Sequence, residues 1–380
     1  MAILEKPYPV PFEVDALIVA VAAPTILRRG LAGEPGIGFG PLWEQMAIAR
    51  SLVAGQGFAN PFGFPTGPTA VCAPVHPAIL AVILRLFGDG PASLPAALLL
   101  ETATQVVCLL LLVRISAAVF HSWEPGAWAA ALMVLYARPV PQWENSAAWL
   151  AAEAITLSVI LTTSWFWSGI ILGLGWLVSP ALLFLSLWLP FFLRGWKYTA
   201  KAVTIAALVL APWLARNWLV FHSLFLVRDG FGLELFISNN DLVSSVDRNE
   251  RYTQLHPTHN SAVDAELVRL GEPQYFHHLQ EQAIVWISAH RYEFLRLTGS
   301  RFRSWWASTW LLAAIHILGL LGWWLNRASG IAKITAAAWL LFPLPYYLVQ
   351  FDPRYGYPVL WLSALLAGFA LWRLRLRTRT

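Results

Sequence analysis

Glu44 is an isolated acid in an apolar chain, and it stands at the start of a helical pattern. A carboxylate so placed can take a proton from an attacking hydroxyl, or it can simply complement the positive end of a helix dipole. Arg216-Asn217, Arg228, Asn239-Asn240 and Arg354-Tyr355 follow along the chain, and His76 lies nearer the acid. One acid among several arginines suits transfer of a group away from a phosphate. Guanidinium groups neutralise the leaving phosphate, bidentately where geometry permits. Plainer roles are open to each. Arg216 closes an apolar run, where arginine snorkels to the interface; Arg354 can anchor a span; asparagines serve turns; His76 precedes Pro77 and can satisfy a turn. Glu101 and Glu153 lie inside apolar runs, where an acid is costly enough to mark function, unless it is neutral or paired with a group such as Arg114.

Other chemistries find little support. No second acid adjoins Glu44, which argues against hydrolysis by paired carboxylates. Neither a nucleophile elbow nor a P-loop occurs. His256, His259, His277 and His278 lack the spacing of a tetrahedral site and read as a solvated loop, so no metal and no cofactor are expected. Two cysteines, Cys72 and Cys108, exclude a disulfide framework. No dense basic tract with interleaved aromatics is present, so nucleic acid is not an expected partner.

The elements that must hold these residues belong in lipid. Of 380 residues, 58% are hydrophobic and 12% charged, against about 25% charged in soluble domains. The expected fold is all-α: one polytopic transmembrane bundle over 1–380 with about nine to ten spans. Apolar runs lie at 16–27 (interrupted by Pro24), 93–120, 126–137, 147–164, 167–193, 202–221, 305–325, 334–350 and 356–372. The first loop, 30–92, contains juxtamembrane helices. One starts near Pro41 and carries Leu42, Met46, Ala49 and Val53 at helical spacing until Gly55 and Gly57; coil follows over 58–75, then a helix from Pro77 to Phe87. The second long polar region is 222–304, and within it 274–303 reads as an amphipathic helix lying in the interface, with Phe276, Leu279, Trp286, Ile287 and Phe294 on its apolar face. The stretch 305–380 holds the last spans and a basic tail.

Charge orients the bundle. The RLRLRTRT tail and the turn RGWKYTAK (194–201) are expected in the cytoplasm, which puts 222–304 outside. The side taken by 30–92 depends on Ser179-Pro180. A break there makes 167–193 two short spans and brings both loops to the outer side, at the cost of placing Arg28-Arg29 against the charge rule. A single span would separate the loops.

Four segments then carry a resemblance: WEQMAIARSLVAGQGF with GPTAVCAPVHPAILAVILRLFG, GIILGLGWLVSP, APWLARNWLVFHSLFLVRDGFGLELFISNN, and DPRYGYP before the last span. In this order the chain resembles the C-type integral-membrane glycosyltransferases, whose relatives include protein O-mannosyltransferases and the lipid A aminoarabinose transferase. The resemblance implies an inverting sugar transfer from a polyprenyl-phosphate donor to a lipid, glycan or protein acceptor, with membrane lipid around it. The site would face the outside of a bacterial inner membrane. Glu44 takes the base's place, with Trp43 where the family often has Asp; Ser179 stands where the family often has Arg or Lys before proline. Substrate contacts would fall to Arg216, Asn217, Arg228, Asn239, Asn240, Arg354, Tyr355, His76 and Glu153. A lipid or solute transporter using Glu101 and Glu153, and a scaffold for envelope assembly, are the competing readings.

Overall fold

In lipid every backbone N–H and C=O must be satisfied within the protein, which leaves helices or closed barrels. This chain takes helices. The computed structural model describes residues 8–32, 44–136, 143–245, 248–259 and 261–377, and contains no strand among them beyond a single bridge between Ala59 and Pro68. Trp43, the start expected at Pro41 and the Pro-rich turn at 137–142 lie outside the described residues.

The membrane half begins with α1 (Phe12–Ala32), followed after the first loop by α4 (Ser93–Phe120), α5 (Glu124–Tyr136), α6 (Trp143–Leu161), α7 (Trp165–Val178), the short α8 (Leu182–Ser186) and α9 (Trp188–Arg194), and α10 (Trp196–Phe221). The first loop holds α2 (Glu44–Val53) and α3 (Val75–Phe87). The second holds α11 (Phe231–Ser238), α12 (Arg248–Leu255), α13 (Ser261–Leu270) and α14 (Glu272–Ala289). The chain ends with α15 (Arg291–Ala307), α16 (Trp310–Leu325), α17 (Gly330–Leu341), α18 (Leu344–Leu348) and α19 (Tyr357–Arg377). A crossing needs roughly 20 residues. Among the described residues four helical stretches are long and apolar enough: α4, α10, Gly330–Leu348 and Pro353–Leu376, with α15 and α16 a fifth if their 77° bend is one broken span. The nine to ten expected spans exceed this number because several apolar runs form shorter helices, α5 with 13 residues and α7 with 14.

Two other expectations meet a different outcome. Pro24 does not interrupt the first helix; α1 runs through it, and the Thr25 hydroxyl donates to Val21 O at 2.6 Å one turn back. Arg114 pairs with neither intramembrane glutamate. It bonds Asp15 of α1 at 2.7 and 3.1 Å, while Glu101 accepts from Gln105 and Ser146, both at 2.6 Å. The break at Ser179-Pro180 is present: α7 ends at Val178 and Ser179 is extended.

Small residues let the helices approach. A Cβ on Gly169 or Gly173 of α7 would lie 2.6 Å from Ala202 O and 2.8 Å from Ala206 O of α10. Gly322 of α16 lies still closer against the Leu366 backbone of α19, and Gly368 of α19 against Pro125 of α5. This close packing is how helices associate where lipid is as apolar as leucine. α19 sits between α16 and α5, and Trp361, Leu362, Leu365 and Leu366 on it are fully buried.

A second core lies outside the bundle. Ile48 of α2 and Phe62, Val71 and Cys72 of the first loop pack with Leu233, Ile237, Leu267, Tyr275, Phe276 and Leu279 of the second. The expected amphipathic helix over 274–303 is two helices broken at His290, and Phe276 and Leu279 face α11 and not lipid; Gly232 gives the room, since a Cβ there would overlap the Phe276 carbonyl. The two loops share this core, so they lie on one side of the bundle.

Replacing Gly322 by Leu forces α16 off α19. Overpacking typically costs about 1–3 kcal/mol, so this variant's thermal midpoint in detergent falls clearly below wild type. Gly299→Ala, where a Cβ meets open space, leaves it unchanged or slightly raised.

Candidate active site

The first loop is shaped by its own turn residues. Asn60 sits at φ 56°, and its side-chain oxygen accepts from Thr66 N and Gly67 N at 3.0 Å each. Asparagine tolerates this left-handed conformation and substitutes for a backbone acceptor. The turn delivers Thr69 and Ala70 to Glu272, the first residue of α14. Glu272 accepts from Ala70 N at 2.6 Å and shares a very short hydrogen bond with the Thr69 hydroxyl. Asp229 N donates to Ala70 O at 2.8 Å. Burial pushes Glu272 up to about 8, although the bonds from Thr69 and Ala70 oppose it.

Glu44 stands at the first turn of α2, where the two loops and the bundle meet. Its Oε1 is 3.1 Å from His256 Nε2, at the end of α12. The carboxylate keeps part of its surface open while His256 is buried. Burial pushes the Glu44 carboxyl up, but the hydrogen bond from His256, with help from the charge of Arg228, outweighs it and holds Glu44 below its usual value. The next residue, Gln45, donates to Glu144 at 2.9 Å, at the start of α6.

Arg228 faces the same space. Surrounding atoms oppose its charge, but Glu144 and Glu234, with Cys72 and Tyr355, hold it firmly protonated. Its side chain is nevertheless exposed, as befits a group in an open recess. Glu234 accepts from Tyr252 at 3.0 Å and from Gln350 at 3.2 Å. Arg354 comes from the turn before α19, where Asp352 caps it by accepting from Arg354 N at 3.1 Å. Asp352 also lies 3.7 Å from the guanidinium, which covers the Tyr355 ring at 5.1 Å; that ring stacks on Tyr346 at 4.9 Å. Glu144 is close enough for its charge to act on both Arg228 and Arg354.

The sequence candidates thus divide. Arg228 acts on Glu44 through its charge, and Arg354 and Tyr355 join this group through Glu144 and Arg228. Arg216 is committed elsewhere: it donates to Thr69 O at 2.8 Å, Phe58 O at 3.0 Å and Asn217 at 3.0 Å, with Phe58, Trp213 and Phe221 around it. Asn217 is buried beneath it. Asn239 bonds Leu235 O and Leu348 O and accepts from Arg301. Asn240 caps Leu242 at 2.8 Å. These are structural positions. His76 is buried against Trp143 with neither ring nitrogen hydrogen-bonded, and Glu153 is buried in α6 with neither oxygen hydrogen-bonded. His76 lies near enough to Glu144 to feel its charge.

His256, Glu144, Glu234 and Asp352 are the residues that motif reading passed over. His256 was expected in a solvated loop; it is buried because the second loop folds back onto Glu44. Asp352 was visible in DPRYGYP, and Glu144 as a lone acid after a proline-rich turn. Nothing in the sequence marks Glu234. Among the described residues no group of three or more potential ligands could hold a metal.

With the geometry in place, comparison of the fold is informative. The chain matches the archaeal oligosaccharyltransferase AglB from Archaeoglobus fulgidus, solved in complex with an inhibitory peptide and a dolichol-phosphate, with a TM-score of 0.54 and 15% identity over 96% of this chain. The chain shares the fold of that membrane enzyme over nearly its whole length. It spans about half the length of that enzyme, 51%. No family model matches the sequence, nor does any curated protein at a significant level. The fold and the apolar helices make it an integral membrane protein.

The Glu272 contact also sets a pH dependence. Its folded value is raised from 4.5 to about 8, so its contribution is complete below pH 4.5 and is lost as pH rises through 8. The thermal midpoint should fall as pH rises from about 4.5 to about 8 and level off above that. Glu272→Gln, which copies the neutral acid, should flatten that fall.

Proposed function

We propose that this chain transfers a sugar from a polyprenyl-phosphate donor to a hydroxyl on a lipid, glycan or protein acceptor, with inversion, on the extracytoplasmic face of a bacterial inner membrane. The observation that supports the reading is an ionised acid, Glu44, within reach of the charge of Arg228, with Glu144 between Arg228 and Arg354 at the loop–bundle junction. The fold shared with an oligosaccharyltransferase supports the reaction class, and the dolichol-phosphate bound to that enzyme supports a lipid-phosphate donor.

In this mechanism the acceptor hydroxyl attacks the anomeric carbon. The bond from that carbon to the phosphate oxygen breaks, and the polyprenyl phosphate leaves with the electron pair. Glu44 receives the hydroxyl proton as the new C–O bond forms. Arg228 and Arg354 meet the charge that collects on the leaving phosphate. Tyr355 holds Arg354 in place beneath its ring contact. A mid-membrane transport route through Glu101 and Glu153 has less to support it, since one oxygen of Glu101 accepts from both Gln105 and Ser146.

The test is transfer from radiolabelled polyprenyl-phosphate hexoses and pentoses to envelope extract by the purified protein. Loss of a general base typically costs about 10²–10⁴-fold, so Glu44→Gln should lose transfer on that scale while still binding the donor. Hydrogen bonds to charged groups are worth about 1.5–3 kcal/mol, so Arg228→Ala and Arg354→Ala should each raise the donor KM about ten- to a hundredfold. Wild-type turnover by Glu44→Gln would sink the assignment.

A further inference from the structure

His256 lies at the one point where the second loop touches the carboxylate of the first. Its Nδ1 accepts from Thr258 N at 3.3 Å. That contact places the ring proton on Nε2, which then donates to Glu44 Oε1 at 3.1 Å. The ring itself cannot swing freely. Tyr252 stacks on it at 5.4 Å and 24°, and Phe62 meets it edge-on at 5.5 Å. Tyr252 is held in turn by Glu234 and Gln350. The imidazole is thus fixed from α12, from the first loop and from the turn that follows it. A surface histidine in a turn would need none of these.

We propose that His256 is the positioning residue of the Glu44 base, aiming one carboxylate oxygen and leaving the other to meet the acceptor hydroxyl. The proposal rests on the glycosyltransferase reading for the identity of that hydroxyl, but not for the contact itself. The proton moves from the acceptor oxygen to Glu44; His256 keeps its own proton throughout and only donates a hydrogen bond. The arrangement makes the base a composite of both loops. Glu44 on α2 is aimed only when α12 is docked, so the base is assembled together with the recess that receives the donor. Arg228 faces Glu44 from the other side, and Glu144 lies beyond Gln45, so the imidazole is the hydrogen-bond donor in a setting of mixed charge.

Glutamine is the informative replacement, because its side-chain N–H reaches where Nε2–H does, whereas alanine removes the donor. In the transfer assay His256→Ala should lower kcat by roughly ten- to a hundredfold, the worth of a hydrogen bond to a charged group, with the donor KM little changed. Glu44 is held down by His256, so losing the donor should move the acid limb of the pH profile to higher pH. His256→Gln should restore both the limb and most of kcat. A second measurement needs no turnover: infrared titration of the glutamate carboxylates in ¹³C-glutamate-labelled protein, with the Glu44 band assigned by its loss in Glu44→Gln. Its midpoint should rise in His256→Ala and return in His256→Gln. An unmoved midpoint in His256→Ala, or His256→Gln behaving as alanine does, overturns the positioning role. A midpoint that moves as expected in a protein with no transferase activity supports the positioning role and overturns the glycosyltransferase reading instead.

Discussion

The docking of the two polar loops onto one another is the constraint on which the rest of the structure depends. Glu272 grips Thr69 and Ala70, Arg216 bonds the carbonyls of Phe58 and Thr69, and a shared apolar core closes around Phe62, Tyr275 and Phe276. These contacts cost the burial of a carboxyl and the ordering of long coil segments. They are repaid because buried polar groups keep their hydrogen bonds and the apolar side chains leave water. Without them Glu44 would have no histidine beside it and no arginine across from it.

The bundle below solves a different problem. Its helices gain little from hiding apolar side chains, because lipid hides them equally well. They are held by close backbone approach at Gly169, Gly173, Gly322 and Gly368 and by a few internal polar contacts, such as Arg114 with Asp15 and Arg194 with the carbonyls that end α6. α19 is the clearest case: it is buried on nearly every face, and the turn that leads into it carries Arg354. A rigid central helix with a capped turn before it is a suitable mount for a group that must meet charge in a fixed place.

Much of the architecture was legible in the chain. Low charge content and long apolar runs point to a helical membrane protein, and Ser179-Pro180 breaks α7 because proline cannot continue the backbone ladder. The helix at Glu44 and the coil after Gly57 follow from local pattern. What pattern reading misjudged were cases in which a distant segment changed a residue's surroundings. Phe276 and Leu279 form a stripe that suits a membrane surface, but α11 covers it. Arg216 has the chemistry to meet a phosphate, and in the fold its guanidinium bonds the first loop's carbonyls.

By itself the sequence determined the fold class, the break in the seventh helix and the residue types a phosphate-leaving reaction would need, because these follow from hydropathy, backbone chemistry and side-chain charge within short windows. Only the tertiary structure decided which of those residues share a recess. Glu44 and His256 are separated by more than half of the chain, Glu44 and Arg228 by nearly half, and no periodicity connects them. Their meeting depends on how two loops fold over a bundle, which is a property of long-range packing. The same packing turned His256 from a loop histidine into the group that holds the carboxylate.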